Sequence, residues 1–327
     1  MGAYLNCGNE AFRQIRNDIY IDKTGLIDYV NSTIGTKRCM TCFSRPRRFG
    51  KSYAAAMLAA YYDRSCDSQE LFAGLEISKS KTYEKYLNKF DVIYLDITRF
   101  ISTALSLKNI IREIQEKVIR ELMLAYPQYV KRNETILADA LLAVAEKTNR
   151  KFILIIDEWD ALFREAKLDD ALQKEYVQFL RGLFKGGPST DKTIAAAYMT
   201  GILPIKKYGT ESALTDFREF TMTLPGRLAR YVGFTEGEVR ELCLNYDLDF
   251  ENTRKWYDGY SFNQESHVYS PNSVMRAVEN REIGNYWTRS ETYESLLQYI
   301  DMNYDGLKDA IISMLGGRHI RIETLSF

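Results

Sequence analysis

Residues 45–52 read Arg45-Pro46-Arg47-Arg48-Phe49-Gly50-Lys51-Ser52, and they stand between a β-prone run and a strong helix former. The run before them is Arg38-Cys39-Met40-Thr41-Cys42-Phe43-Ser44, and the segment after them, Tyr53 to Tyr62, is rich in alanine with a wide apolar face. Strand, turn, Gly-Lys-Ser and helix, in that order, is the arrangement a chain needs to hold polyphosphate. Backbone N–H groups and the positive end of the helix then face the anion. The stretch departs from G-x-x-x-x-G-K-[ST] at one place, where Arg45 stands for the first glycine. In such a loop Lys51 reaches the terminal phosphates and the Ser52 hydroxyl ligates Mg2+. Arg47, Arg48, Phe49, Gly50 and Tyr53 complete the candidate phosphate-binding set. A basic turn capping an ordinary helix would carry the same tripeptide, so context decides.

A phosphate loop of this kind needs a carboxylate for its metal. Phe152-Ile153-Leu154-Ile155-Ile156 is an unbroken apolar run, the pattern of a strand buried on both faces in a parallel sheet, and Asp157-Glu158-Trp159-Asp160 follows it. Ligands of open α/β sheets bind at the carboxyl ends of the strands. Asp157 therefore suits Mg2+, directly or through water, and Glu158 suits a base that polarises water towards the γ-phosphate. The alternative is a plain strand-to-loop exit. Together the loop and the acidic pair read as the two halves of an ATP·Mg2+ site, and the pair favours hydrolysis.

Bulk properties narrow the classes. The chain has 327 residues, enough for two domains or one with an appendage. Lys and Arg number 44, as do Asp and Glu, so the formal net charge is zero, which argues against a strongly basic nucleic-acid protein. No segment approaches the ~18–20 apolar residues that span a membrane, and the amino terminus lacks the pattern of a signal peptide. The cysteines number five, an odd count, and Cys39 and Cys42 form a C-x-x-C with no second pair at ligand spacing. Both fall in the predicted first strand on opposite faces, so they read as small buried residues rather than zinc ligands. His267 and His319 stand alone. A reduced, cytoplasmic protein follows.

Along the chain, residues 10–31 read as helical with an interruption at Asp22-Lys23-Thr24-Gly25. Strands are predicted at about 38–43, 91–97, 152–157, 193–200 and 219–224. Helices are predicted over 106–124, 134–147 and 169–185, the last stopped by Gly186-Gly187-Pro188. Five strands separated by helices predict an α/β fold with a mainly parallel five-stranded sheet covered on both faces. Thr200, at the polar end of the fourth strand, is placed either to face the γ-phosphate or to cap its own turn. A core of 1–232 is expected, then a mostly helical second domain over 233–327 opening on a capping box at Thr235 and Glu238. Its aromatics Trp256, Tyr257, Tyr260, Phe262, Tyr269, Tyr286 and Trp287 would form core and interface.

Several motifs occur together in a fixed order: Tyr20-Ile21-Asp22-Lys23-Thr24, Arg45 to Ser52, Ile156-Asp157-Glu158-Trp159-Asp160, Thr200-Gly201-Ile202, Gly233-Phe234-Thr235-Glu236, Trp256-Tyr257-Asp258-Gly259-Tyr260 and Tyr269-Ser270-Pro271. In this order, over nearly the whole chain, they resemble the predicted AAA-ATPase, or AAA-ATPase-like, family of bacteria. In that family an arginine in place of the first loop glycine is usual. The resemblance implies a P-loop NTPase with Walker A and Walker B elements, a helical lid, and ATP with Mg2+ as ligand. Family members often continue into a PD-(D/E)XK nuclease-like domain. None of the six prolines here is followed by Asp, so the chain is expected to stop short of one.

Arg45, Arg47 and Arg48 admit two readings. One or two could pair with core carboxylates such as Asp96 or Asp157, or one could contact phosphate as an arginine finger does. Pairing fits Arg47 and phosphate contact fits Arg48. Arg181 and Arg227 could also complete the site, within the chain or across a homo-oligomer, although a solvent-exposed arginine is the plainer reading of each. The expected function is a slow Mg-dependent ATPase that moves its helical domain. The alternatives are a nucleotide-gated switch or scaffold with little turnover, the ATPase module of a DNA-acting system, and a nucleic-acid-binding module with a basic loop. A DNA or protein partner is compatible with each.

Overall fold

Strands Met40–Ser44 (β1), Asp91–Asp96 (β2), Phe152–Asp157 (β3), Ile194–Gly201 (β4) and Arg218–Phe220 (β5) hydrogen-bond in the order β2-β3-β4-β1-β5, with every neighbouring pair parallel. This is a computed structural model, and it describes residues 2–104, 106–205, 214–222, 224–260, 267–286, 309 and 312–313. Among them, contacts form two compact units, one running to Gly233 and the other beginning at Phe234.

The sheet belongs to the first unit. β3 and β4 are buried along their whole length, as an apolar run covered on both faces requires. Their residues alternate between two cores. Leu154, Ile156, Ala197 and Met199 pack with the helices Ile110–Ala125, Leu137–Thr148 and Asp170–Phe184. Ile153, Ile155, Ala196 and Tyr198 pack on the other face with the helices Gly25–Asn31 and Lys51–Tyr62. Cys42 is buried in β1, while Cys39 is half-buried one residue before the strand, and both are free thiols.

Several elements differ from expectation at their ends. The predicted second strand stops at Asp96, because the Asp96 carboxylate accepts the Arg99 N–H at 3.0 Å and caps a helix, Ile97–Thr103. The interruption expected within 10–31 is present and longer than its four residues, since the helices are Glu10–Arg16 and Gly25–Asn31. Between them, Asp22 accepts the Thr24 N–H at 2.8 Å, the Thr24 hydroxyl at 2.6 Å and the Glu76 N–H at 2.7 Å, which holds the chain in a loop. Gly186-Gly187-Pro188 ends one helix and begins another, Pro188–Thr193, with the proline in its first turn. β5 is only three residues long, an edge strand paired to Thr41–Phe43 alone.

The second unit contains the helices Glu236–Tyr246, Phe250–Tyr257 and Pro271–Asn280. The capping box forms as predicted, with the Thr235 N–H bonding Glu238 at 2.7 Å. A small sheet accompanies these helices. Phe234–Thr235 (β6), Asp258–Tyr260 (β7) and Val268–Tyr269 (β8) form an antiparallel sheet in the order β6-β8-β7. The last three of the ordered motifs supply residues to these three strands. Tyr257 and Tyr269 are buried there, whereas Trp256 and Tyr260 are exposed. His267 is not isolated, since its Nδ1 hydrogen-bonds Asp258. Phe262, Trp287 and His319 lie outside the described residues. No helix among the described residues is long and apolar enough to cross a membrane.

Candidate functional site

Strand order brings the two halves of the site together. β4 lies between β1 and β3, with Phe43 opposite Thr200, Ser44 opposite Gly201 and Ile156 opposite Met199. The loop after β1, Thr200 and the Asp157-Glu158 pair therefore emerge side by side at the carboxyl end of the sheet. Asp157 is buried, and its Oδ1 accepts the Thr200 hydroxyl while its Oδ2 accepts the Tyr94 hydroxyl at 3.3 Å. The Thr200 hydroxyl also accepts the Glu158 N–H at 3.2 Å. Thr200 thus ties the acidic pair to β4 instead of capping its own turn.

Gly50 caps the helix Lys51–Tyr62 in the left-handed region (φ 85°), and a Cβ built on it meets nothing within 4 Å. Glycine is the residue that reaches this conformation without strain, and the open space lets a ligand approach the backbone. Lys51 is 3 % exposed, with Nζ 3.0 Å from the Pro46 carbonyl and 3.4 Å from Glu158 Oε1. Burial lowers its pKa, against the pull of Glu158 and Asp157. Glu158 has a positive φ of 51°, uncommon for a non-glycine residue. Burial raises its carboxyl pKa, with Lys51 and then Arg164 opposing.

The remaining candidates divide. Ser52 and Tyr53 are exposed in the first turn of the helix. Arg47 is half-buried, and Arg48 is exposed at φ 67°. The Phe49 ring packs into the core, which leaves its backbone N–H as the group it could offer a ligand. Arg45, one of the three arginines with a possible carboxylate partner, bonds main-chain carbonyls instead. It is 1 % exposed, its Nη1 donates to the carbonyls of Ser44 at 3.2 Å and Phe220 at 2.9 Å, and its guanidinium lies 5.8 Å from the Phe43 ring centroid. Burial pulls its pKa down to about 10. It therefore fastens the end of β1 to the edge strand β5. Arg227 stacks 4.8 Å over the Tyr29 ring, and Arg181 is on an exposed helix face.

Sequence reasoning missed Arg164 and the part played by Asp160. Arg164 Nη2 donates to Glu158 Oε2 at 2.6 Å, and its Nε lies 3.3 Å from Asp160 Oδ2. The signal was the four-residue spacing of Asp160 and Arg164, which places them on one face of a helix, Ala161–Glu165. Gly201 packs against the same group, and a Cβ there would lie 2.6 Å from Trp159 Nε1 and 2.9 Å from Asp160 Oδ1. Gly201→Ala is expected to cost about 1–3 kcal/mol of stability by overpacking, measured by denaturant unfolding. An unchanged midpoint would show that the buried Trp159 can move aside.

The donor set fits a Mg2+-bound polyphosphate. It offers a lysine, a hydroxyl at a helix start, a carboxylate and an open glycine turn. Among the described residues no group of three or more His, Cys, Asp or Glu is placed to hold a metal. A single carboxylate with a hydroxyl suits Mg2+, which keeps waters and takes phosphate oxygens as ligands.

The model of the family described as Predicted AAA-ATPase, AAA-ATPase-like, matches residues 6–210. No curated protein matches the chain. Among solved structures, the Walker-type ATPase PABY2304 of Pyrococcus abyssi aligns at 12 % identity over 90 % of this chain and 75 % of its own, with a TM-score of 0.40. The ORC2 protein of Aeropyrum pernix, in ADPNP and ADP complexes, aligns at 14 % identity over 71 % of this chain and 55 % of its own, with a TM-score of 0.37. PCH-2 of C. elegans aligns at 14 % identity over 78 % of this chain and 53 % of its own, with a TM-score of 0.32. The chain thus spans about half the length of the last two.

Proposed function

The chain belongs to the predicted AAA-ATPase family, and from that premise we propose that it binds ATP with Mg2+ between the loop after β1 and the Asp157-Glu158 pair, and hydrolyses it slowly. The observation that carries this reading is the meeting of Lys51 and Glu158, 3.4 Å apart although they follow different strands. One is a buried cation at the start of a helix, and the other is a half-buried carboxylate just past the end of a parallel strand.

In this reading Lys51 exchanges Glu158 for the terminal phosphates, and backbone N–H groups of residues 47–53 line the polyphosphate. Arg48, exposed at the loop apex, is placed for phosphate contact. Ser52 and Asp157 would hold the metal, with Thr200 and Tyr94 fixing the Asp157 oxygens. Mg2+ supplies neutralisation of phosphate charge when bound. Glu158 orients the attacking water and takes its proton. Turnover is proposed to rearrange the second unit.

The test is phosphate release from ATP by the purified chain, with Mg2+ and with excess EDTA. Release that depends on Mg2+, with amide exchange in 236–280 differing between ATP-analogue and ADP mixtures, supports the reading. ATP binding without release would instead favour a nucleotide-gated switch.

A further inference from the structure

Glu158 is held from two sides. Oε1 faces Lys51 Nζ at 3.4 Å, while Oε2 accepts from Arg164 Nη2 at 2.6 Å. The Arg164 guanidinium is itself seated against Asp160 at 3.3 Å. Asp160 is fully buried and accepts the backbone N–H of Ile202 at 3.2 Å and of Leu203 at 3.0 Å, in the chain just after β4. A continuous set of charged contacts therefore runs from the end of β4 through Asp160 and Arg164 to Glu158.

We propose that Arg164 is a positioning residue for ATP hydrolysis, bridging Glu158 to Asp160 so that Oε1 alone is presented towards Lys51 and the attacking water. The proposal rests on the reading of Glu158 as the base. The planar guanidinium can meet two carboxylates at once, which an ammonium on a flexible stem does less well. Its Nη2–Oε2 bond is short and charge-assisted, in a pocket that leaves Arg164 only 16 % exposed. Glu158 also needs such an anchor, since its backbone holds a sparsely populated conformation. Once Lys51 turns to phosphate, Arg164 is the cation that keeps the Glu158 carboxylate aimed.

The test compares Arg164→Ala, Arg164→Gln and Arg164→Lys in the full chain, measuring kcat and KM for ATP together with thermal midpoints. Arg164→Ala is expected to lower kcat roughly tenfold to a hundredfold, with KM for ATP little changed. Added guanidinium should restore part of the lost turnover. Arg164→Lys should still lose turnover, since it retains charge but not the bridge. Arg164→Gln should lose turnover as Ala does and serves if Arg164→Ala does not fold. An unchanged kcat, a loss that falls on KM, or a loss of turnover with no guanidinium rescue overturns the proposal. Failure of the underlying reading would be seen separately, as undiminished hydrolysis in Glu158→Gln.

Discussion

Glu158→Gln is expected to bind ATP with Mg2+ as the unaltered chain does and to release phosphate roughly 10²–10⁴-fold more slowly, the usual worth of a positioned general base. Glutamine keeps the size of the side chain but cannot take a proton from water. The lost negative charge also frees Lys51 from a competing partner 3.4 Å away, so affinity should hold or rise. Arg164 retains Asp160 in the variant, which limits the structural disturbance. The pH dependence has a definite sign. A base works when deprotonated, and burial raises the Glu158 pKa above its ordinary value. The acid limb of kcat in the unaltered chain should therefore lie above the ordinary value for a glutamate and should be absent from the residual rate of the variant. Phosphate-release assays from acid to neutral pH check both. Undiminished turnover would assign the base to another group.

Lys51→Ala is the second large effect, and it falls on binding. Lys51 is buried at the start of the helix, the place from which a single ammonium can meet the terminal phosphates. A ligand at a hundred times its Kd stabilises the folded state by about 2.7 kcal/mol. The unaltered chain with saturating MgATP should show a clear rise in Tm, and Lys51→Ala should show essentially none at the same concentration. The variant should still fold, because Glu158 keeps Arg164 as a partner when the lysine is gone. A full MgATP shift in Lys51→Ala would remove the lysine from the site.

What the sequence made legible was local. Gly50-Lys51-Ser52 and the run from Phe152 to Asp157 could be recognised because both motifs lie within single segments whose periodicity and turn chemistry are written in adjacent residues. The Thr235–Glu238 capping box was readable for the same reason. Strand order was not, because it is set by crossover connections that leave no mark in any one segment. That order puts Thr200 beside Asp157. Arg164 escaped notice since an arginine on a short helix looks like any surface residue until its two carboxylates are in place. The partners of Arg45 could not be foreseen because they are main-chain carbonyls, which have no sequence signature. The strands β6 to β8 were too short, at two or three residues, to show alternation.

The central claim is that loop 45–52 and the Asp157-Glu158 pair form one Mg-nucleotide site. It is tested most directly by calorimetric titration of the full chain with a non-hydrolysable ATP analogue, once with Mg2+ and once with EDTA. The predicted result is one nucleotide per chain, with affinity that falls when Mg2+ is removed. No detectable binding in the presence of Mg2+, or binding of the same strength in EDTA, would contradict it.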